Sequence, residues 1–160
     1  MALLRWVPLF LAVLLTACGF RVEGSGSLPV EFSQTYVRAE DRYTPFYQHL
    51  TRALRQRGVV IAKSPASAGA IINVISDESG KVVTAVSSRN IPLEYQAYYD
   101  VSYSVTIGSQ VALEPATISL VNRYEYDETK VLGKEEELDM FMTSQAKDIS
   151  RQILIQLSKL

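Results

Sequence analysis

The strongest constraint on the fold is an alternation of side-chain character between residues 95 and 107. Every odd position carries an apolar or aromatic side chain, namely Tyr95, Ala97, Tyr99, Val101, Tyr103, Val105 and Ile107, and most even positions are polar. Successive side chains of a β-strand point to opposite faces, so the pattern predicts one long strand with a single buried face. At ~3.3 Å per residue the strand would extend to roughly 40 Å, and we expect a bulge, a strong twist or a projecting end.

Shorter segments on either side predict further strands. These are a short strand over 32–39, a brief strand or loop over 59–62, and an alternating strand over 117–126. The Val- and Ile-rich segments 70–76 and 82–88 flank the sequence DESGK, which predicts a hairpin in which Gly80 supplies a positive φ. A loop is expected to begin at Gly108 and to end at Pro115, so that consecutive strands form an antiparallel meander.

Two segments have helical periodicity. In the first, Thr44 supplies a capping hydroxyl and Pro45 occupies the first helical position, where its missing N–H costs nothing. Its apolar stripe comprises Phe46, Leu50, Ala53 and Leu54, and Gly58 ends the pattern. The second helix is predicted from about residue 135 to 159, with three glutamates in its first turn. Its stripe comprises Leu138, Phe141, Met142, Ile149, Ile153 and Leu157.

These elements predict an α+β fold, a two-layer sandwich of two amphipathic helices packed on a mostly antiparallel sheet of four to five strands. The other face of the sheet is expected to be polar, with tyrosines at its edges. Hydrophobic residues make up 48% and charged residues 21% of the chain. This composition indicates one globular domain, over 31–160, rather than a disordered or membrane-spanning chain.

The N-terminus is interpreted as a lipoprotein signal peptide over residues 1–17. Arg5 precedes an apolar run from Trp6 to Leu15, and small residues then lead to Cys18. The run is too short to span a bilayer, which needs roughly 20 apolar residues. We expect Cys18 to become the acylated N-terminus of a flexible tether over 18–30. The alternative is an ordinary secretory signal followed by a buried cysteine.

Composition also limits the chemistry of the chain. With one cysteine and one histidine, His49, it has no intramolecular disulfide, CxxC redox pair or multi-cysteine metal site. The sequence contains no phosphate loop, zinc-binding helix or nucleophile motif. We therefore expect no enzymatic activity, no cofactor and no metal. Asp77 and Glu78 are interpreted as a solvated turn rather than an acid/base pair, and the formal net charge of -1 provides no global basic field for nucleic acid.

Two cations are candidate anion contacts. Arg89 lies in a predicted loop after the strand over 82–88, and Lys134 lies at the predicted entrance to the last helix, where the helix dipole disfavours positive charge. Both side chains suit phosphate, Arg89 as a planar fork and Lys134 as a point charge. The alternative is that both are solvated surface residues. A basic cluster at the end of the first helix, made of Arg52, Arg55 and Arg57, is explained by the helix dipole or, alternatively, by ligand binding.

The chain resembles the lipopolysaccharide-assembly lipoproteins called LptE. The resemblance rests on short motifs in a particular order: Cys18-Gly19-Phe20, Leu28-Pro29, Gly58-Val59, Arg89-Asn90 before Glu94-Tyr95-Gln96, Leu132-x-Lys134 and Asp139-Met140. It implies two helices over a four-stranded or slightly larger sheet. It also implies a non-enzymatic lipoprotein of the outer membrane that plugs the barrel protein LptD, helps that partner to assemble, and helps lipopolysaccharide to reach the outer leaflet.

In the family, contacts to the phosphorylated end of the lipid are proposed at positions that match Arg89 and Lys134. Gly19 after Cys18, in place of aspartate, fits sorting to the outer membrane. The rival hypothesis is a lipid-anchored periplasmic binding domain for a soluble ligand or peptide, without a barrel partner. A deep apolar pocket between helices and sheet favours the binding domain, and a filled core favours the plug. An enzyme is the third possibility.

Overall fold

The computed structural model describes residues 27–125 and 131–160, and the side chains of residues 131–135 lie outside this description. The signal peptide, Cys18 and most of the predicted tether therefore fall outside the described residues. The helices are α1 (Pro45–Gln56) and α2 (Val131–Leu157). The strands are β1 (Gln34–Arg38), β2 (Val60–Ile61), β3 (Ala70–Val86), β4 (Pro92–Ile107) and β5 (Gln110–Glu125). A 3-10 turn, Val30–Ser33, precedes β1, and a second one, Pro65–Ser67, lies between β2 and β3.

The strands form one mixed sheet with the order β2-β1-β3-β4-β5. Strand β1 is parallel to both β2 and β3, whereas β3, β4 and β5 form an antiparallel meander. The parallel pairings are short and the antiparallel ones are long. The predicted α+β fold with a mostly antiparallel sheet is therefore confirmed.

Strand β3 corrects one prediction. The predicted hairpin with its turn at Gly80 is wrong, because 70–86 is a single strand that pairs with β4 along its length. Gly80 lies opposite Tyr98, and a Cβ atom at Gly80 would come within 2.9 Å of the Tyr98 hydroxyl oxygen. The glycine therefore makes room for a cross-strand aromatic ring rather than for a turn. Register shifts interrupt the β3–β4 ladder, as expected for so long a pair.

Strand β5 differs from a second prediction. The predicted loop from Gly108 to Pro115 is wrong, because the chain turns at Gly108 and Ser109 and β5 begins at Gln110. Gly108 has a φ of 57°, which suits a tight hairpin. Pro115 lies in β5 between two register positions, Tyr103↔Ala116 and Val105↔Leu113, where the ladder is irregular. Because β5 is an edge strand, the irregularity accommodates a residue without an N–H donor.

Helix α1 has the predicted boundaries. The Thr44 hydroxyl accepts a hydrogen bond from the backbone N–H of Tyr47 at 3.1 Å, and Pro45 is the first helical residue. Gly58 follows the helix with a φ of 82°, a conformation that favours glycine. Helix α2 begins at Val131, earlier than the predicted start at 135. The three glutamates therefore lie beyond its first turn, and the prediction that they occupy that turn is wrong.

The core lies between the two helices and one face of the sheet. It is built from buried side chains of all layers, including Phe32, Val37, Phe46, Leu50, Leu54, Ile72, Tyr99, Val101, Tyr103, Val105, Ile149, Ile153 and Leu157. The odd positions of β4 from Ala97 to Val105 are at most 1% exposed, so the predicted buried face is confirmed. The Tyr103 hydroxyl donates a hydrogen bond to the Gln156 side chain of α2, and burial raises the pKa of Tyr103 to about 12.

Candidate functional site

The β3–β4 turn holds Arg89 at one end of the sheet. The Ser87 N–H donates to the Ile91 carbonyl at 2.8 Å, and the Asn90 N–H donates to the Ser87 carbonyl at 2.9 Å. The Ser87 hydroxyl accepts from the backbone N–H groups of Arg89 and Ile91 at 3.3 and 3.1 Å. Asn90 has a φ of 62°, which asparagine tolerates better than most residues. The turn is therefore ordered by its own hydrogen bonds, and the exposed Arg89 side chain extends from it.

The sheet around this turn is called here the distal end, and it consists of residues 81–97 and 120–125. Its aliphatic side chains are more exposed than those of the core: Val82 46%, Val83 46%, Val86 52%, Leu93 49% and Val121 59%. Helix α1 does not reach this far, because its first residues lie over Tyr99, whose side chain is hydrogen-bonded to the Phe46 backbone. The distal end thus combines an exposed arginine with exposed apolar surface.

Aromatic side chains organise the helix-facing side of the distal end. The rings of Tyr95 and Tyr124 stack with centroids 5.8 Å apart and planes 19° from parallel. The Lys81 ammonium lies 5.5 Å from the centroid of the Tyr95 ring, within cation–π range. Burial raises the pKa of Tyr124, with Tyr95 and Glu137 adding to the effect. A cation is therefore held against an aromatic pair on adjacent strands.

Helix α2 lies next to the β5 side of this region. A small cavity of about 50 Å³ lies between the end of β5 and α2, lined by Asn122, Tyr124, Glu137, Leu138 and Phe141. Ligand pockets usually measure about 300–1,000 Å³, so this cavity is too small for such a ligand. Leu138 and Phe141 are only half-buried. The predicted apolar stripe of α2 is consequently buried deeply in its C-terminal half alone.

The opposite face of the distal end carries polar cross-strand contacts beside the exposed side chains of Val82 and Val121. Arg123 donates through Nε to the Gln96 side-chain oxygen at 3.2 Å, and its Nε lies 4.0 Å from Glu94 Oε1. The same Glu94 oxygen accepts a hydrogen bond from the Thr84 hydroxyl at 2.9 Å. These cross-strand contacts tie β3, β4 and β5 together on the face that the helices leave uncovered, so the predicted polar outer face is polar in part.

The topology brings the two predicted cations to the same end of the sheet. Strand β5 ends at Glu125, opposite Glu94, and α2 begins at Val131. Six residues span at most about 20 Å, so the start of α2 lies within that distance of the end of β5. Lys134 is in the first turns of α2, inside the helix rather than before it, and its side chain lies outside the described residues. The role of both cations in binding stays a prediction.

Asp77 was expected in a solvated turn, and that expectation is wrong. It lies in β3 opposite Val101, on the core-facing side. Burial raises the pKa of Asp77, and the Asp41 charge adds to this, whereas hydrogen bonds with the side chains of Thr44 and Tyr99 act in the opposite direction. Sequence reasoning missed this site because it assigned residues 77–81 to a loop.

Comparison with known proteins identifies the family. A family model described as "LptE: Lipopolysaccharide-assembly" matches residues 32–157. The chain belongs to the LptE family. The match covers α1, α2 and the whole sheet, so the resemblance expected from the short motifs is confirmed over the described fold. It also makes this chain a member of a family of lipopolysaccharide-assembly lipoproteins.

Relatives in the LptE family have low sequence identity and high coverage. LPS-assembly lipoprotein LptE of Photorhabdus laumondii is 26% identical over 151 residues, covering 92% of this chain and 81% of the relative. LPS-assembly lipoprotein LptE of Yersinia enterocolitica is 23% identical over 146 residues, covering 90% of this chain and 70% of the relative. Their names describe assembly lipoproteins rather than enzymes.

Solved structures of lipoproteins show the same fold. The solution structure of uncharacterized lipoprotein B from Nitrosomonas europaea has a TM-score of 0.71 at 22% identity, covering 88% of this chain and 90% of that one. The crystal structure of rare lipoprotein B from Shewanella oneidensis has a TM-score of 0.67 at 19% identity, covering 79% of this chain and 94% of that one. Within the described residues, no helix is long and apolar enough to cross a bilayer.

Proposed function

We propose that this chain is a non-enzymatic outer-membrane lipoprotein, anchored through Cys18, that plugs the LptD barrel, helps the barrel to assemble and contacts lipopolysaccharide phosphates through Arg89 and Lys134. Family membership supports the role in lipopolysaccharide assembly. The single observation that supports the contact is the distal end, where an ordered turn carries an exposed arginine beside exposed apolar side chains. A phosphorylated lipid offers anionic and apolar groups together.

The packed interior supports a plug over a binding domain for a soluble ligand. Side chains from both helices and the sheet fill the space between them, and each buried side-chain nitrogen or oxygen within the described ranges has a hydrogen-bond partner. The cavity at the distal end of this layer holds only about 50 Å³. A soluble ligand between the helices and the sheet at this end would need several times that volume.

The plug is tested by gentle detergent extraction followed by affinity purification of the full-length chain. We expect LptD to co-purify with it. A Cys18→Ala variant serves as the control for the anchor, and it should release a folded domain because no described core residue depends on residue 18. Recovery of the wild-type lipoprotein without any barrel protein would contradict the plug.

The phosphate contact is tested by charge reversal. An Arg89→Glu/Lys134→Glu variant should bind purified lipopolysaccharide at least about tenfold more weakly, because each charge-assisted hydrogen bond contributes about 1.5–3 kcal/mol. A Lys63→Glu/Lys159→Glu variant is the matched control, since it changes the net charge equally at exposed positions outside the distal end. Equal weakening in both variants would show that only the overall charge matters.

A further inference from the structure

A groove between the two helices is not used by the proposed function. It has a volume of about 450 Å³. Its lining comes from both helices: His49, Arg52, Ala53, Gln56 and Arg57 from α1 with its C-cap, and Lys147, Ser150, Arg151 and Leu154 from α2. Ser150 and Leu154 are buried and form its floor, whereas Arg52, Lys147 and Arg151 are exposed at its sides.

The charge of the groove is strongly one-sided. Two arginines from α1 face a lysine and an arginine from α2, and no carboxylate is among its lining residues. Asp148, beside the groove, is hydrogen-bonded to Arg151 and offsets the charge of that arginine. Within the described ranges, neither Arg52 nor Lys147 forms an ion pair with a carboxylate. An anion in the groove would relieve this repulsion.

The helix dipole accounts for only part of the cluster. Arg52 and Arg57 lie near the end of α1, where exposed carbonyls favour cations. Lys147 lies several turns before the end of α2, which runs to Leu157. The dipole effect falls off within the last turn, so it gives no reason for Lys147 to face the α1 arginines. The convergence of cations from two helices therefore requires another explanation.

The pKa of His49, the only histidine of the chain, is sensitive to the positive charges in this groove. Partial burial lowers the pKa of His49, and the positive charges of Arg52 and Lys147 lower it further. The charged residues that line the groove with His49 are Arg52 and Arg57 on the α1 side and Lys147 and Arg151 on the α2 side, and Asp148 is paired with Arg151. A bound anion would stabilise the imidazolium and raise its pKa.

We propose that this groove binds phosphate groups, supplied either by a phospholipid headgroup or by a soluble phosphate ester. Guanidinium groups match phosphate oxygens with paired N–H donors, and the lysine adds a point charge. The volume lies in the range of about 300–1,000 Å³ that small-molecule sites occupy. Ala53 and Leu154 give the floor an apolar part, which strengthens charge interactions above it.

The groove is separate from the proposed lipopolysaccharide contact. Gln156, two residues after Leu154, is hydrogen-bonded to Tyr103 in the C-terminal half of β4, whereas Arg89 precedes the start of β4 at Pro92. Eleven residues of strand extend about 35 Å. The two sites therefore lie at different levels of the sheet, and failure of one does not imply failure of the other.

The test uses the full-length chain in a non-ionic detergent, with the His49 imidazole resonances as the readout. Inorganic phosphate and pyrophosphate are titrated against chloride at equal ionic strength. In a second arm, the Cys18→Ala variant, which lacks the proposed acyl anchor, is mixed without detergent with phosphatidylcholine vesicles that do or do not contain phosphatidylglycerol, and its flotation is measured. A rise in the pKa of His49 with either phosphate probe supports a soluble ligand. Flotation only with the anionic vesicles supports the headgroup.

Matched variants distinguish binding in the groove from an effect of the overall charge of the protein. Arg52→Gln/Lys147→Gln should weaken the response at least about tenfold, since two charge-assisted contacts are lost. Arg55→Gln/Lys159→Gln removes the same charge outside the groove lining and should leave the response to phosphate unchanged. The melting temperatures of both double variants are measured to verify that they fold. The Arg89→Glu/Lys134→Glu variant should also respond like the wild type.

Three results would overturn the proposal. One is an unchanged His49 pKa together with no preference for anionic vesicles. Another is an equal loss of response in the groove pair and the control pair. The third is tighter binding of polyglutamate than of either phosphate probe, with the same residues required, which would assign the groove to an acidic polypeptide.

Discussion

The two halves of β4 have the same sequence pattern and different surroundings. From Tyr99 to Val105 the odd positions are buried beneath both helices, whereas Tyr95 is half-buried and Leu93 is exposed. Alternation therefore predicts which side chains share a face of a strand, and the covering layer decides whether that face is buried. The half that the helices cover stabilises the fold, whereas the distal end leaves apolar and charged side chains exposed.

The largest effect is expected from substituting one leucine in each half. Leu50→Ala should lower the free energy of unfolding by about 2.7–5.0 kcal/mol, because Leu50 is a residue of α1 whose side chain is fully buried in the core. Leu93→Ala, at the distal end, should cost about 1 kcal/mol or less. Urea unfolding of both variants measures the difference. Similar losses at the two positions would show that the distal end is as well packed as the core.

A smaller effect is expected from two glycines. Gly58→Ala should cost about 1–2 kcal/mol, because its φ of 82° places a Cβ atom in an unfavourable conformation. Gly80→Ala should cost about 1 kcal/mol or less, because Gly80 lies within an extended strand and the Tyr98 ring can shift away from the added methyl group. Thermal melting of both variants compares them.

A loss at Gly80 as large as the loss at Gly58 would favour a turn at residues 77–81. The continuous strand would then be wrong, and the distal end would be two shorter hairpins.

The smallest effect is expected at Asp77, which lies opposite Val101 in the covered half. Its folded pKa is raised above the ordinary 3.8, so the folded state binds more protons than the unfolded state above that pH. The stability contribution of this group is therefore present at low pH and lost as the pH rises through the folded pKa. An asparagine does not ionise, so the free energy of unfolding of Asp77→Asn should not fall in this way. It should rise relative to that of the wild type between about pH 4 and 7.

The control for Asp77 is Asp139→Asn, which changes an exposed carboxylate on α2. Urea midpoints across that pH range measure both variants. A pH dependence of Asp77→Asn that parallels the wild type would show that Asp77 is solvated.

Local patterns predicted the elements whose boundaries depend on nearby residues. Thr44, Pro45 and Gly58 predicted α1 because caps and positive φ angles act within a few residues. The odd residues of β4 predicted its face for the same reason. The strand through Gly80 was not predictable in this way, because the sequence DESGK is typical of a turn, and only pairing with the long β4 keeps it extended.

The candidate sites were predictable to different degrees. Arg89 stood out as a cation in a predicted loop, and the structure places it in the β3–β4 turn. Two other features join residues that are distant in the sequence. They are the contact of Lys81 with Tyr95 and the groove that contains Arg52 and Lys147. Neither carries a local motif, so tertiary packing alone reveals them.

The central claim is that lipopolysaccharide contacts the distal end rather than the half covered by the helices. It is tested most directly by placing a photoreactive amino acid at Leu93 or Val86, and at Val60 or Val111 as exposed controls away from the distal end, in the anchored protein in cells. The account predicts lipopolysaccharide crosslinks from Leu93 and Val86 that Arg89→Glu/Lys134→Glu reduces. Crosslinks of equal or greater yield from Val60 and Val111 would contradict it.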